Sequence, residues 1–376
     1  MLTNYFIFLL ANLIISHIKT LKKTVRWVVG IVLGVYIGTI ILLNIPSVQQ
    51  RVAAIVAKEL SHVLSTQLTI GKVNLGLLNR IIIDDIMIDD QRGDEMLKVK
   101  RLSVKFDIMP LFKGKISISN IQLFGFNIQL NKQTPQSVPN YQFIIDALSS
   151  DKKEKKPETL DFRVNSVLIR RGRLSYDILS EKETPGKFNP QHIKLQNIIA
   201  NISMKALQND SINLAIKRLS VEELGSGFYL KKLALKLVAN EKRMNIENLG
   251  IELNGTSIKM DTIRLKYDSL KAFNHFADKV HFSFRTLPSY ITLKDISPFV
   301  PALSHFKEPI LLDMDVKGTV NQLTCSQLQI LAENEEFRLN GDVTFQDLSS
   351  PENTFVYGKL SELSATNRGV YFLRIS

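Results

Sequence analysis

The chain is poor in the side chains that most often carry metal and covalent chemistry: 376 residues hold one cysteine, one tryptophan and six histidines. One cysteine excludes a disulfide scaffold, and Cys325 sits in an apolar position where a small buried residue fits better than a nucleophile. The histidines lie at 17, 62, 192, 275, 281 and 305, with no HExxH sequence and no ligand spacing beyond the loose pair His275 and His281. Gly225-Ser-Gly227 lacks the third glycine of a dinucleotide loop, and neither a Walker sequence nor GxSxG occurs. Eighteen glycines are too few for collagen. The pairs Asp84-Asp85 and Asp89-Asp90 lack the alternating oxygen ligands of a calcium loop and read as turn residues. The sequence therefore predicts no enzyme, no metal site and no cofactor.

Acid is missing from the N-terminal end. Nothing negative precedes Glu59, while Lys19, Lys22, Lys23 and Arg26 form a basic cluster. The chain as a whole carries 48 Lys+Arg against 36 Asp+Glu, a net charge of +12, so the cluster takes a third of the excess and the remainder is spread thinly. No stripe of arginine interleaved with aromatics appears, which argues against a nucleic-acid partner.

Immediately after the cluster, Trp27 to Ile45 runs nineteen residues without a charge. At ~1.5 Å per residue such a helix nearly spans a hydrocarbon core of ~30 Å. Trp27, Ile31, Leu33, Ile37, Ile41 and Leu43 are its candidate anchor residues. The positive-inside rule places Lys19, Lys22, Lys23 and Arg26 in the cytoplasm and everything after Asn44 outside. A cleaved signal peptide is the rival, but its apolar region is usually shorter and ends in small residues, whereas this one runs into Asn44-Ile-Pro46. Residues 1–18 form a second apolar stretch of open status, either a second pass that makes a hairpin or a segment preceding the natural start. The expected topology is one pass or two, with the body of the chain outside the cytoplasm.

Past the basic flank and anchor (residues 19–45), residues 46–66 show helical spacing at Val48, Val52, Ile55, Val56, Leu60, Val63 and Leu64, with Pro46 and Ser47 as start signals. The spacing predicts an amphipathic helix that packs its apolar face on the following domain. From Gln67 onward short alternating runs predict strands. A unit apolar-x-apolar-x-x-apolar-x-apolar recurs, as at Ile81/Ile83/Ile86/Ile88, Leu97/Val99/Leu102/Val104, Ile116/Ile118/Ile121/Leu123, Phe228/Leu230/Leu233/Leu235, Met244/Ile246/Leu249/Ile251, Ile258/Met260/Ile263/Leu265 and Leu323/Cys325/Leu328/Ile330. Strand side chains alternate with period 2, so the extra central residue breaks the phase. A β-bulge there returns both apolar pairs to one face; a tight turn is the alternative.

Few helices compete: residues 140–148, and a short turn after Ser297-Pro298. The predicted architecture is mainly β, an elongated, curved, antiparallel-type sheet. A first unit spans 67–148 with a closing helix, 149–160 is a charged linker, and 161–376 continues the sheet. One apolar face then lacks a second set of elements to cover it. It either closes into a sandwich or stays open as a groove, with Ile121, Leu123, Leu233, Leu235, Leu249, Ile251, Ile263 and Leu265 as candidate floor.

The order of features carries a resemblance: a basic N-terminus, one anchor, Asn44-Ile-Pro-Ser-Val-Gln-Gln50, a helix containing Glu59-Leu-Ser61, then Leu68-Thr-Ile-Gly-Lys-Val73 and Ile86-Met-Ile-Asp-Asp90. Leu111-Phe-Lys-Gly114 and Leu168 to Tyr176 add to it. Together these resemble the N-terminal part of the TamB proteins, within the AsmA-like group of Gram-negative envelope proteins. The resemblance implies localisation in the inner membrane through the anchor, and a periplasmic β-groove that bridges toward the outer membrane and along which phospholipid moves, its acyl chains held in the groove. It also implies outer-membrane biogenesis with a barrel partner of the TamA or BamA type, or an assembly module that docks such a barrel without carrying lipid. TamB relatives are longer and end in a C-terminal domain; here the sequence stops at Val370 to Ser376 within strand-like residues, as in the opening section of a longer protein.

Overall fold

A computed structural model describes residues 22–39, 41–42, 44–76, 79–111, 116–149, 160–161, 164–208, 211–332 and 336–366. Lys19 and Leu43 lie outside them, as does the stretch 1–18.

Residues 22–39 form a helix, α1, whose side chains are all exposed. Among the described residues no helix is long and apolar enough to cross a membrane. The expected span is therefore not established: the described part of α1 includes Lys22, Lys23 and Arg26, and Ile40 and Leu43 of the uncharged run fall outside it.

Helix α2, Pro46–Leu64, starts on a proline at its first turn, where the missing N–H is harmless, and ends on Ser65 in the left-handed conformation. Its buried residues are Gln49, Ala53 and Ala57, four apart and so on one face. This corrects the expected stripe in part, because Ile55, Leu60 and Val63 are exposed. The small alanines let the helix lie close on β1, while Val48, Val52, Val56 and Leu64 of the stripe are half-buried beside them.

The rest is strand: β1 Leu68–Gly76, β2 Arg80–Asp89, β3 Glu95–Phe106, β4 Ile116–Lys132, the short β5 Leu160–Asp161, β6 Ser166–Ile178, β7 His192–Gln208, β8 Ser211–Glu223 and β9 Tyr229–Ala239. Beyond these come β10 Arg243–Glu252, β11 Ser257–Lys266, β12 His281–Arg285, β13 Ser289–Thr292, β14 Pro309–Thr319, β15 Gln322–Ala332, β16 Phe337–Gln346 and β17 Phe355–Ala365. Each pairs with its neighbours in chain order, β12 and β13 sharing the place between β11 and β14. One curved sheet results. A single step departs from antiparallel pairing: β4 and β6 run parallel, with Asn120 opposite Ser166 and Lys132 opposite Ile178. A short helix, α3, Ile108–Leu111, precedes β4; the parallel step needs a crossover, and the connection carries α4, Gln142–Ser149, the helix expected near residues 140–148. β5 pairs parallel with the start of β4.

Two clusters of buried apolar residues form where helical segments cover the sheet, while others, such as Val99, Phe126, Val316 and Val343, are buried along the sheet itself. In the first, Ala57 of α2 and Phe143 of α4 cover Leu68, Ile88 and Met96. In the second, Ala272 and Val280 cover Leu265 and Tyr267. The second cover, a helical segment Leu270–His275 followed by Phe276–Lys279, lies where the sequence predicted no helix. At one rim Phe299 touches both Phe188 and Phe228, at ring-centroid distances of 5.0 and 5.1 Å. The Phe188 amide donates to the Pro298 carbonyl at 2.9 Å. In a flat sheet five interstrand steps of ~4.8 Å would separate β7 from β13 by roughly 24 Å, so curling of the sheet and the reach of the segment before β14 together bring these rings into contact.

Candidate functional site: an apolar face and its polar reverse

The recurring unit resolves as a bulge. Asp85, Gly125, Arg171, Asn197, Asn248 and Gln327 all have positive φ, between 51° and 62°, inside continuous strands. Several coincide with register shifts, as between Glu247 and Gly250, between Ile169 and Gly172, and between Cys325 and Leu328. Where neighbouring strands carry the extra residue at the same level, no shift is needed: Asp84 pairs with Arg101 and Ile86 with Val99, with Asp85 and Lys100 between them. The central pairs Asp84-Asp85, Lys100-Arg101, Phe124-Gly125 and Arg170-Arg171 line one common depression, so both members of each pair share a face. The flanking apolar residues then share the other. Asp84 and Asp85, read above as turn residues, instead lie within β2; Asp90 does cap a turn, accepting the Arg92 and Asp94 amides at 2.8 and 3.1 Å.

The ladder registers show what this achieves. Val73, Ile83, Leu102, Leu123, Ile169, Ala200, Leu219, Leu233, Ile251 and Ile258 are successive cross-strand partners from β1 to β11. A second row runs beside it through Leu75, Ile81, Val104, Ile121, Val167, Ile202, Ile216 and Leu235. Nine interstrand steps of ~4.8 Å make the first row about 43 Å long. Of the predicted floor, Leu123, Leu233 and Ile251 fall on the first row and Ile121 and Leu235 on the second. Leu249 lies beside Leu235 at the β10 bulge and pairs with Met260. Ile263 and Leu265 belong elsewhere: they lie under the 270–280 segment, where Leu265 is buried. The sequence could not show this because the cover comes from a segment whose helical character it did not reveal.

All but Ala200 of the first row are half-buried, and the two buried clusters lie outside these two rows. A sandwich would press a second layer onto the rows and bury them. Between the α2/α4 cover and the 270–280 cover, this apolar strip remains solvent-accessible.

The anchor candidates Trp27, Ile31, Leu33, Ile37 and Ile41 are exposed, by 67, 61, 55, 47 and 62%. The basic residues Lys22, Lys23 and Arg26 are exposed beside them. Cys325 is buried, and burial, with Asp315 and Asp342 nearby, pushes its thiol up to about 11. It is protonated at neutral pH and inert as a nucleophile.

No protein-family model, curated protein or solved structure matches this chain. The site therefore stands on its geometry alone.

Two polar arrangements escaped the sequence reading. His192 and Asp177 are register partners on β7 and β6, their Nδ1 and Oδ1 atoms 3.0 Å apart, and Nε2 lies 3.0 Å from the Glu181 carbonyl. Glu183 completes a three-ligand grouping, but Lys194 Nζ already binds its Oε1 at 2.8 Å and both imidazole nitrogens are engaged. The grouping ties a loop to the sheet. Glu223, 3% exposed, accepts the Lys194, Gly225 and Ser226 amides at 3.2, 3.0 and 2.7 Å, and the Ser226 hydroxyl. Burial alone would raise its pKa, yet these bonds hold the carboxyl below its ordinary value. It fixes the turn between β8 and β9. The His192–Asp177 pair and the Lys194 amide at Glu223 had no local signal, since they meet only through strand pairing, whereas Gly225 and Ser226 lie two and three residues from Glu223.

Proposed function

We propose that this chain is a membrane-anchored β-groove protein of the TamB/AsmA-like kind, whose apolar strip carries phospholipid acyl chains between the inner and outer membranes. The observation that supports it is the pair of apolar rows crossing the strands, half-exposed between two covered ends. An acyl chain on such a strip gains about 0.8 kcal/mol per CH₂ buried, while equivalent side chains from strand to strand let it slide without a catalytic residue. In this reading α1, with its exposed apolar side chains and basic flank, sits in the inner membrane and the sheet lies in the periplasm. Outer-membrane biogenesis follows as the process served.

The experiment is lipid analysis of the purified full chain and of Leu235→Glu and Ile251→Glu variants. Co-purifying phospholipid in the parent, lost in the variants while their thermal unfolding stays close to it, supports the reading. Lipid-free parent protein, or lipid lost only in step with folded protein, overturns it.

A second reading is favoured by β17. Its residues Phe355, Tyr357 and Leu363 are exposed by 59, 64 and 56%, and its outer edge has no partner among the described residues. Such an edge is a template for strand addition, as in docking of an outer-membrane barrel of the TamA or BamA type. Capture of a barrel by lipid-free protein would favour this assembly role.

A further inference from the structure

The face opposite the apolar rows carries a feature that lipid passage does not use. Where the bulges of β2, β4 and β6 fall side by side with Lys100-Arg101 of β3, their central residues surround a depression of about 890 Å³. Lys72, Lys100, Arg101, Arg170, Arg171 and Arg218 line it, from the four strands β1, β3, β6 and β8, and all six are exposed. Among the described residues that line the depression, two are carboxylates. Asp84 is consumed by Arg101, accepting from Nε at 2.6 Å and Nη2 at 3.1 Å, and Asp85 is the other. Six cations less two carboxylates leave a local excess of four. Among the described residues Lys72, Lys100, Arg170, Arg171 and Arg218 have no ion-pair partner.

The concentration follows from the fold. A bulge turns two consecutive side chains to the same face, so each basic pair delivers double charge to one spot, and strand pairing sets these spots side by side. Like charges held together are unfavourable in the free protein, and an anion relieves them. Phe124, Leu168 and Ile199 line the same depression, giving it apolar wall as well as charge.

We propose that this depression is a binding site for phosphate groups, with guanidinium forks from Arg170 and Arg218 and the Lys100 ammonium as its principal ligands. Arginine forks match the oxygens of phosphate, and the apolar wall suits the glycerol end of a lipid headgroup. The phosphate comes from an anionic phospholipid or from a soluble phosphate compound. The site lies on the reverse of the sheet and does not need an acyl chain on the apolar strip.

The test uses the full chain in neutral detergent, titrated with inorganic pyrophosphate in a calorimeter. Saturable binding is expected, weakening steeply between about 50 and about 200 mM salt. The triple variant Lys100→Gln/Arg170→Gln/Arg218→Gln should weaken it by about tenfold or more, Arg170→Lys by less, and Leu235→Glu not at all. The substituted side chains are exposed, so the thermal midpoint should hold. Short-chain phosphatidylglycerol and phosphatidylcholine form the second arm. Tighter binding of phosphatidylglycerol than of pyrophosphate, lost in the triple variant, assigns the phosphate to a headgroup; binding no tighter assigns it to a soluble compound. The proposal is overturned by non-saturable pyrophosphate binding, by equal binding in the triple variant, or by an acidic peptide displacing pyrophosphate at matched charge. Because pyrophosphate has no acyl chain, its result is independent of the lipid-carrying role.

Discussion

The Phe126 ring of β4 lies over Gly172 of β6, so close that a Cβ added to that glycine would fall inside the ring edge and within 3.0 Å of Ile198. This contact sits at the one parallel step of the sheet, between the pairs Phe124–Arg170 and Asn127–Arg173. Phe126 is buried, so the ring has nowhere to retreat. Gly172→Val should cost about 1–3 kcal/mol by overpacking, read as a lower thermal midpoint of the full chain in detergent. Phe126→Leu in the same chain should recover part of the loss. Additive losses in the double variant would show that the two residues do not compete for this space.

Asn248 supplies the extra residue of the β10 bulge at φ 51°. Glycine there should be neutral or slightly stabilising, and Asn248→Ile should cost about 1–2 kcal/mol, because a β-branched side chain resists the left-handed region. Deleting Asn248 has a larger consequence: Met244 and Ile246 move to the opposite face relative to Ile251. Loss of cooperative thermal unfolding in the deletion, with Asn248→Gly unaffected, is the expected pattern.

Glu223 makes stability depend on pH in a definite direction. Its carboxyl is held below its ordinary value in the folded chain, so the stabilisation is present above the unfolded value of about 4.3 and is lost as pH falls through the lower folded value. Glu223→Gln should therefore be less stable than the parent by about 2 kcal/mol at neutral pH. The gap should narrow once the pH drops below the carboxylate range. Thermal midpoints of both chains across that range check the sign; a gap that widens in acid would contradict it.

Much of this was legible in the residues. The unit apolar-x-apolar-x-x-apolar-x-apolar carries the bulge in its spacing, and Ile121, Leu123, Leu233, Leu235 and Ile251 could be placed on one face because strand periodicity and an extra residue fix which way they point. The bounds of α2 and α4 followed from start signals and helical spacing. The rest depends on partners distant in sequence. Nothing local to Ile263 or Leu265 reveals that residues 270–280 fold over them. The most buried positions of α2 are Gln49, Ala53 and Ala57, with Val48, Val52, Val56 and Leu64 of the apolar stripe only half-buried beside them, because close approach to β1 favours small side chains at the centre of the contact. The charge on the reverse face was visible as Arg170-Arg171 and Lys100-Arg101, but their convergence exists only in the ladder. The parallel step at β6 was hidden for the same reason.

The most direct test of the account places a photoreactive amino acid at Leu123, on the first apolar row, and in a second chain at Gln122, whose side chain points to the reverse face. Illumination of cells making the full chain, followed by mass spectrometry, should yield phospholipid adducts at Leu123 and few at Gln122. Equal adducts at both positions, or none at Leu123 in folded protein, would contradict an apolar strip that carries lipid.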